Sequence, residues 1–319
     1  MLPLKTALNL NLPSPLKPLQ DPYLEPFQVS IDVKHDELID PLISGNKFRK
    51  LKCIIADYSE QDHQGIVSMG GAWSNHLHAL SKVCFELEIP FIALVRGSEP
   101  ERYSGTLQDI KSWGAKVAFI NSADYRTLRL AYEHDKLGQH PLCAVWKNKL
   151  FIPEGGYGLA SLQGLQELVD EIPTEYDYIY VGVGTGTTLA GLATALGGNS
   201  DTKLVGVAAV DARKSQEENV HKLISNSVSN WQLDTDHCFN GFAKVNEQLI
   251  DFMDGIYSRS GLITEPIYTA KTLYALYEHI QQGNIASKSK VLFIHTGGLQ
   301  GLRGYDEPRL VNLCRKAGF

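Results

Sequence analysis

The chain is punctuated by short apolar runs with no polar alternation: IVSM at 66–69, FIALV at 91–95, LVGVAAV at 204–210 and VLFIH at 291–295. A strand with one wet face alternates apolar and polar residues. A run that is apolar at almost every position is buried on both faces, as in a parallel sheet covered by helices. The expected strands are 27–33, 65–69, 90–95, 116–120, 176–183, 203–210 and 290–295. Helical periodicity fills the intervals. In 74–87, Leu77, Leu80, Cys84 and Leu87 make one apolar face. Further helices are expected at 47–58, 106–113, 125–135, 160–170, 187–196, 246–259 and 269–281. Alternating βα units predict an open α/β fold.

At 319 residues the chain has room for about two domains. The best crossing between them is 140–158, where Pro141, Pro153, Gly155, Gly156 and Gly158 interrupt regular structure. A polar stretch, 215–240, is left unplaced. With 30 Lys+Arg against 36 Asp+Glu the net charge is −6. This argues against a nucleic-acid or membrane-surface binder, which needs a basic patch. Five widely spaced cysteines, Cys53, Cys84, Cys143, Cys238 and Cys314, include no CxxC. Reduced thiols in a cytoplasmic protein are the expectation. The proline-broken start has no signal-peptide core, and no run is long enough to span a bilayer.

Four segments have chemical potential. The first is Ser44-Gly-Asn-Lys-Phe-Arg-Lys-Leu51, a turn entering a helix that begins on a lysine. A solvated basic helix start is the simple reading. Cations are unfavourable at that end of the macrodipole, however, and Lys47, Arg49 and Lys50 crowd it. A lysine near other cations has a depressed pKa and becomes a nucleophilic amine. The second is Met69-Gly-Gly-Ala-Trp-Ser-Asn-His76. Here Ser74 and Asn75 are good caps, and the free N–H groups of the helix start suit a carboxylate.

The third segment runs from Val181 to Leu192 through Gly184, Thr185, Gly186, Thr187 and Thr188. Glycines allow close backbone approach, and the N–H groups with threonine hydroxyls make a phosphate cradle. A tight βα turn is the plainer alternative. The segment is neither a P-loop nor a full GxGxxG. Asp211, ending the next run, would suit a dinucleotide ribose and keeps a nicotinamide oxidoreductase open. The fourth is Phe293-Ile-His-Thr-Gly-Gly-Leu-Gln-Gly301. His295 reads as a core histidine, and Thr296 offers a hydroxyl at a strand end. The histidines form no HExxH and no visible ligand cluster, so no catalytic metal is expected.

In this order the four segments resemble the fold-type II pyridoxal-phosphate enzymes, the tryptophan synthase β family. They are most similar to its D-cysteine desulfhydrase and 1-aminocyclopropane-1-carboxylate deaminase group. GNKFRKLK stands for that group's GGNKxRKLE, WSNH for QSNH or QSNQ, EPIYTAKTL for DPVYxGKxM, and HTGG for HTGG, beside the GTGTTLAGL loop. The resemblance spans about residues 21–301. It implies two open, twisted, mostly parallel sheets flanked by helices. A large cofactor-binding domain would comprise 1–49 and 151–319, and a small domain 50–150. It also implies a homodimer.

Carried over residue by residue, Lys47 resembles the Schiff-base lysine. Asn75 matches the asparagine near the cofactor's phenolic oxygen. Ser74 matches a serine beside the substrate carboxylate that also assists catalysis. Gly184, Thr185, Gly186, Thr187 and Thr188 would hold the phosphate, Thr296 would face the pyridine nitrogen, and Tyr268 matches a catalytic tyrosine. The implied activity is α,β-elimination from a small amino acid, giving a 2-oxo acid and ammonia. Ring opening of 1-aminocyclopropane-1-carboxylate is the alternative, and a catalytically idle binding protein is a further one. The sequence departs from the group at Ser44, at Trp73 (a glutamine in the group), at Phe242 (aligned with a second tyrosine) and at Thr269 (glutamate in the cyclopropane deaminases).

Overall fold

Two parallel sheets organise the chain. The computed structural model describes residues 8–43, 45–60, 63–198, 200–210, 212–225 and 228–319. Ser44 and Asp211 lie outside the described residues. The larger sheet comprises β1 (Leu16–Pro18), β2 (Ser30–His35), β7 (Tyr178–Val183), β8 (Lys203–Ala208), β9 (Trp231–Asp234) and β10 (Lys290–His295). Its order is β1-β2-β10-β7-β8-β9. Only β1 is antiparallel to its neighbour. The smaller sheet comprises β3 (Ile66–Gly70), β4 (Phe91–Arg96), β5 (Lys116–Ile120) and β6 (Leu150–Ile152), in the order β5-β4-β3-β6, all parallel. The fold class is the one the resemblance implied.

The described helices, in chain order, are α1 (Asn46–Glu60), α2 (Asn75–Glu86), α3 (Gly105–Ser112), α4 (Ser122–Glu133), α5 (Ala160–Asp170), α6 (Thr187–Leu196), α7 (Arg213–Leu223), α8 (Glu247–Ser260), α9 (Thr269–Gln281) and α10 (Pro308–Lys316). Local chemistry sets several starts. Ser74, Asn121 and Asn246 accept N–H groups from the first turns of α2, α4 and α8, and Glu307 does so before Pro308 in α10. The uniformly apolar strands are buried throughout: all of β3, and every residue of β10 except Lys290. Each fully buried Val, Leu or Ile there contributes about 1.5–3 kcal/mol.

Three strands and two helices, α7 and α10, escape the sequence pattern. β1 and β6 have three residues each, too few to show a period. β9 is a polar edge strand, WQLD, inside the stretch left unplaced. In α7 only Gln216, Val220 and Leu223 are buried. The strand expected at 27–33 starts at Ser30, because Pro22–Phe27 forms a 3-10 turn capped by Asp21. β6 runs across the expected domain boundary at 150/151. Leu8, Leu10, Ile39 and Phe48 pack into the same core as Ile66 and Phe91 of the smaller sheet and Leu80 of α2.

In the smaller sheet β3 leads to β4 on one side, while β6 pairs on its other side. In the larger, β7 leads to β8 on one side and β10 pairs on its other. Ligands in open α/β sheets bind beyond the carboxyl ends of strands at such a reversal. This chain has two reversals, and one cavity touches both.

Candidate active site

The cavity is lined by residues just past four strand ends: Asn75 after β3, Gly155 after β6, Gly184–Gly186 and Thr188 after β7, and Thr296 after β10. Lys47 and Lys50 enter from α1, and Tyr268 from the turn before α9. Of the residues singled out in the sequence, Lys47, Asn75, Gly184, Thr185, Gly186, Thr188, Tyr268 and Thr296 meet here. Ser74 and Thr187 stand just outside the lining. The Ser74 Oγ accepts the Leu77 N–H at 3.2 Å as the cap of α2. Thr187 is fully buried, with its Oγ1 3.0 Å from that of Thr185.

Lys47 is the second residue of α1, and a close backbone contact sets its position. Gly45 has φ +71°, and a Cβ there would lie 1.8 Å from the Thr296 carbonyl oxygen. The Asn46 N–H donates to that oxygen at 3.3 Å. The Asn46 side chain spans the site: its Oδ1 accepts from Lys47 Nζ at 2.6 Å, and its Nδ2 donates to Thr188 Oγ1 at 2.9 Å. Burial pushes the Lys47 amine down to about 8, against the opposing pull of the Glu265 carboxylate. This corrects the sequence argument, which ascribed the shift to crowded cations. Arg49 faces away from the cavity, donating to Asp36 and Glu171 at 2.8 Å each. Lys50 does line the cavity, and burial and the Lys47 charge hold its own amine well below the usual range.

Two carbonyls of the loop after β7 are held by side chains of α7. Gln216 Nε2 donates to Gly184 O at 3.1 Å, and Asn219 Nδ2 to Thr185 O at 3.4 Å. Gly186, at φ +90°, caps α6 without a side chain. The opening turn of α6 is therefore a nest of donors beside a helix N-terminus, suited to a phosphoryl group. Gly184 has no side chain where the Tyr268 ring lies; a Cβ there would sit 3.2 Å from the phenol oxygen.

Tyr268 is held by a residue the sequence reading passed over. Glu265, fully buried, accepts the N–H groups of Ile267, Tyr268 and Thr269 at 2.7–2.8 Å. Burial raises its carboxyl pKa against those hydrogen bonds. Burial and the Glu265 charge push the Tyr268 phenol upward, so it stays protonated. Thr269 bonds to Glu265 and turns its hydroxyl into this cap. Asn75 Oδ1 accepts from Gln300 Nε2 at 2.8 Å. The residues missed were thus Asn46, Lys50, Gly155, Glu265 and Gln300. Four had a legible signal: Asn46, Lys50, Glu265 and Gln300 stand inside quoted segments.

Two departures resolve in space. The Trp73 ring packs over Gly304, about 3.3 Å from where a Cβ would be. Phe242 is half-exposed and meets Tyr268 edge-on at 6.0 Å between ring centroids. His295 is a core histidine, fully buried, with Nε2 2.8 Å from Ile263 O. The expectation that the histidines form no ligand cluster is corrected away from the cavity. His237 and His279 meet at Asp234, because α9 packs on the sheet that β9 edges. Residues distant in sequence converge there without a motif.

Comparison with known proteins agrees with this geometry. Residues 10–297 match the family described as "Pyridoxal-phosphate dependent enzyme", and the chain belongs to that family. It is 27% identical over 335 residues to the mitochondrial bifunctional D-cysteine desulfhydrase/1-aminocyclopropane-1-carboxylate deaminase of Arabidopsis thaliana, covering 96% of this chain and 80% of that one. It is 25% identical over 298 residues to the D-cysteine desulfhydrase of Salmonella schwarzengrund, covering 86% and 88%. A solved structure described as an ACC deaminase homologue superposes with a TM-score of 0.79 at 25% identity, covering 98% and 99%. The cofactor is pyridoxal phosphate, which disposes of the nicotinamide reading. The cavity suits it: a depressed-pKa amine and a donor nest share one enclosure. Among the described residues no helix is long and apolar enough to cross a membrane.

Proposed function

We propose that the chain catalyses α,β-elimination from a small amino acid, releasing the β substituent, a 2-oxo acid and ammonia. For cysteine, one water is consumed and hydrosulfide, pyruvate and ammonia are formed. The observation carrying this reading is the Lys47 amine, with its pKa near 8, in one cavity with the Gly184–Thr188 nest and the protonated Tyr268. The relatives named D-cysteine desulfhydrase support it.

Lys47 and the Gly184–Thr188 nest, with Asn75 and Thr296, are the residues to hold pyridoxal phosphate. When bound, the cofactor supplies an aldehyde for the amine and an electron sink for the charge left at the substrate Cα. The chain supplies orientation and protons. The N–H groups at the start of α2, beside Ser74 and Asn75, receive the substrate carboxylate. Lys47, as a neutral amine, would take the α-proton; a base with a pKa near the working pH is efficient in that role. Tyr268 donates a proton on the substrate side.

The cyclopropane ring-opening reaction is the second reading, favoured by the Arabidopsis relative's second named activity. It differs in product, 2-oxobutanoate. The division into 1–49 with 151–319 and 50–150 and the homodimer accompany this proposal on the strength of the resemblance, and a cytoplasmic location on the strength of five widely spaced cysteines with no CxxC.

The test is a screen of D- and L-cysteine, other small amino acids and 1-aminocyclopropane-1-carboxylate for 2-oxo acid release, with Lys47→Ala as control. Pyruvate from a cysteine enantiomer, and loss of the visible absorption band in the variant, are expected. A protein whose cofactor is joined to Lys47 but that releases no oxo acid from any of them is a binding protein, and the proposal fails.

A further inference from the structure

Beyond the cofactor cavity, three side chains from separate elements converge on one point. Asp234 ends β9, His237 stands three residues later, and His279 lies in the last turn of α9. All three side chains are largely buried, at 7%, 16% and 17% exposure. None lines the cofactor cavity.

The carboxylate is divided between two tasks. Asp234 Oδ1 accepts the N–H groups of Asp236 at 2.8 Å and His237 at 3.4 Å, which shapes the turn after β9. Oδ2 is left aimed between two imidazoles, 2.7 Å from His237 Nδ1 and 3.3 Å from His279 Nε2. The two rings stand at 83° to each other with centroids 5.3 Å apart. All three ligand atoms lie within 4.8 Å of one another. The far nitrogen of His279, Nδ1, sits 2.8 Å from the Tyr180 hydroxyl. That hydroxyl can accept a hydrogen bond from Nδ1–H, the outer contact that orients a metal-binding imidazole with Nε2 inward.

We propose that Asp234, His237 and His279 form a binding site for one divalent first-row transition-metal ion of the zinc class. Zinc bonds of about 2.0–2.2 Å place ligand atoms roughly 3.3–3.6 Å apart along tetrahedral edges. The Asp234–His279 separation already has that length; His237 has to withdraw from Asp234 by less than about 1 Å, and the two imidazole nitrogens, now within 4.8 Å, to meet at the same edge length. Two imidazoles and one carboxylate suit zinc and its late first-row neighbours better than calcium or magnesium. Water completes the set.

The site sits at the base of a loop that reaches the cofactor cavity. Lys271 Nζ donates to Cys238 O and Gly241 O at 2.8 Å each, and the next residue, Phe242, touches Tyr268. The ion would pin the near end of this loop, as Lys271 pins its middle.

The test is calorimetry with zinc, and the visible absorption of bound cobalt, on chelator-treated holoenzyme with its cofactor band intact. One equivalent bound by the wild type is expected, with an affinity at least ten times weaker in His237→Ala and in His279→Ala. Bound zinc should raise the unfolding temperature by several degrees in the wild type only. Should His279→Ala fold poorly, His237→Ala decides alone, because it lies in a loop. Cys238→Ser should bind as the wild type does. Equal uptake by the wild type and the His237→Ala/His279→Ala variant would overturn the proposal. So would binding that is lost in Cys238→Ser and kept in His237→Ala.

Discussion

Attachment of pyridoxal phosphate to the chain requires an uncharged amine, so its rate should report the pKa of Lys47 directly. An ordinary lysine at 10.5 is neutral in about 1 molecule in 3,000 at pH 7. With the midpoint at about 8 the fraction is about 1 in 10, a gain of roughly 300-fold. Burial causes the shift, and the Glu265 carboxylate limits it. Cofactor-free protein mixed with pyridoxal phosphate in a stopped-flow instrument, followed by its visible band, should show a rate rising tenfold per pH unit below about 8. Above that the rate should level off. Glu265→Gln removes the opposing charge and should move the midpoint lower. A rate that still climbs tenfold per unit through pH 10 would refute the reasoning, because it would describe a solvated lysine.

Two stability predictions concern the scaffold of α1. Gly164 on α5 lies so close to α1 that a Cβ would fall 1.7 Å from the Arg49 carbonyl oxygen, so Gly164→Ala should cost about 3 kcal/mol in urea denaturation; an unchanged midpoint would contradict the packing. Arg49→Met strands the fully buried Asp36 carboxylate and should cost about 3–5 kcal/mol, while the added change Asp36→Asn should recover part of that; a loss below about 1 kcal/mol would show the ion pair to be dispensable.

Much of this protein is legible in one dimension because its signals are local. An apolar run such as FIALV has no polar position to turn toward water, so burial on both faces follows from composition alone. Lys47 after a Gly-Asn turn, the Gly-Thr-Gly-Thr-Thr bend and the Thr-Gly-Gly turn each sit beside their own strand or helix. Their candidacy for a site is therefore readable without knowledge of any contact. Short elements were not: β1, β6 and β9 exist because a neighbouring strand pairs with them, and three or four residues carry no period.

What tertiary structure decided is the electrostatics. Arg49 and Lys50 are adjacent in sequence and opposite in role. One side chain is drawn to Asp36 and Glu171, and the other turns toward the cavity. The Glu265 carboxylate caps N–H groups only two to four residues away, a local arrangement, but its full burial comes from the fold closing over it. Asp234, His237 and His279 come together only because α9 lies across the sheet whose edge is β9. Desolvation and through-space charge depend on distances between residues tens of positions apart, and a linear pattern holds no record of those distances.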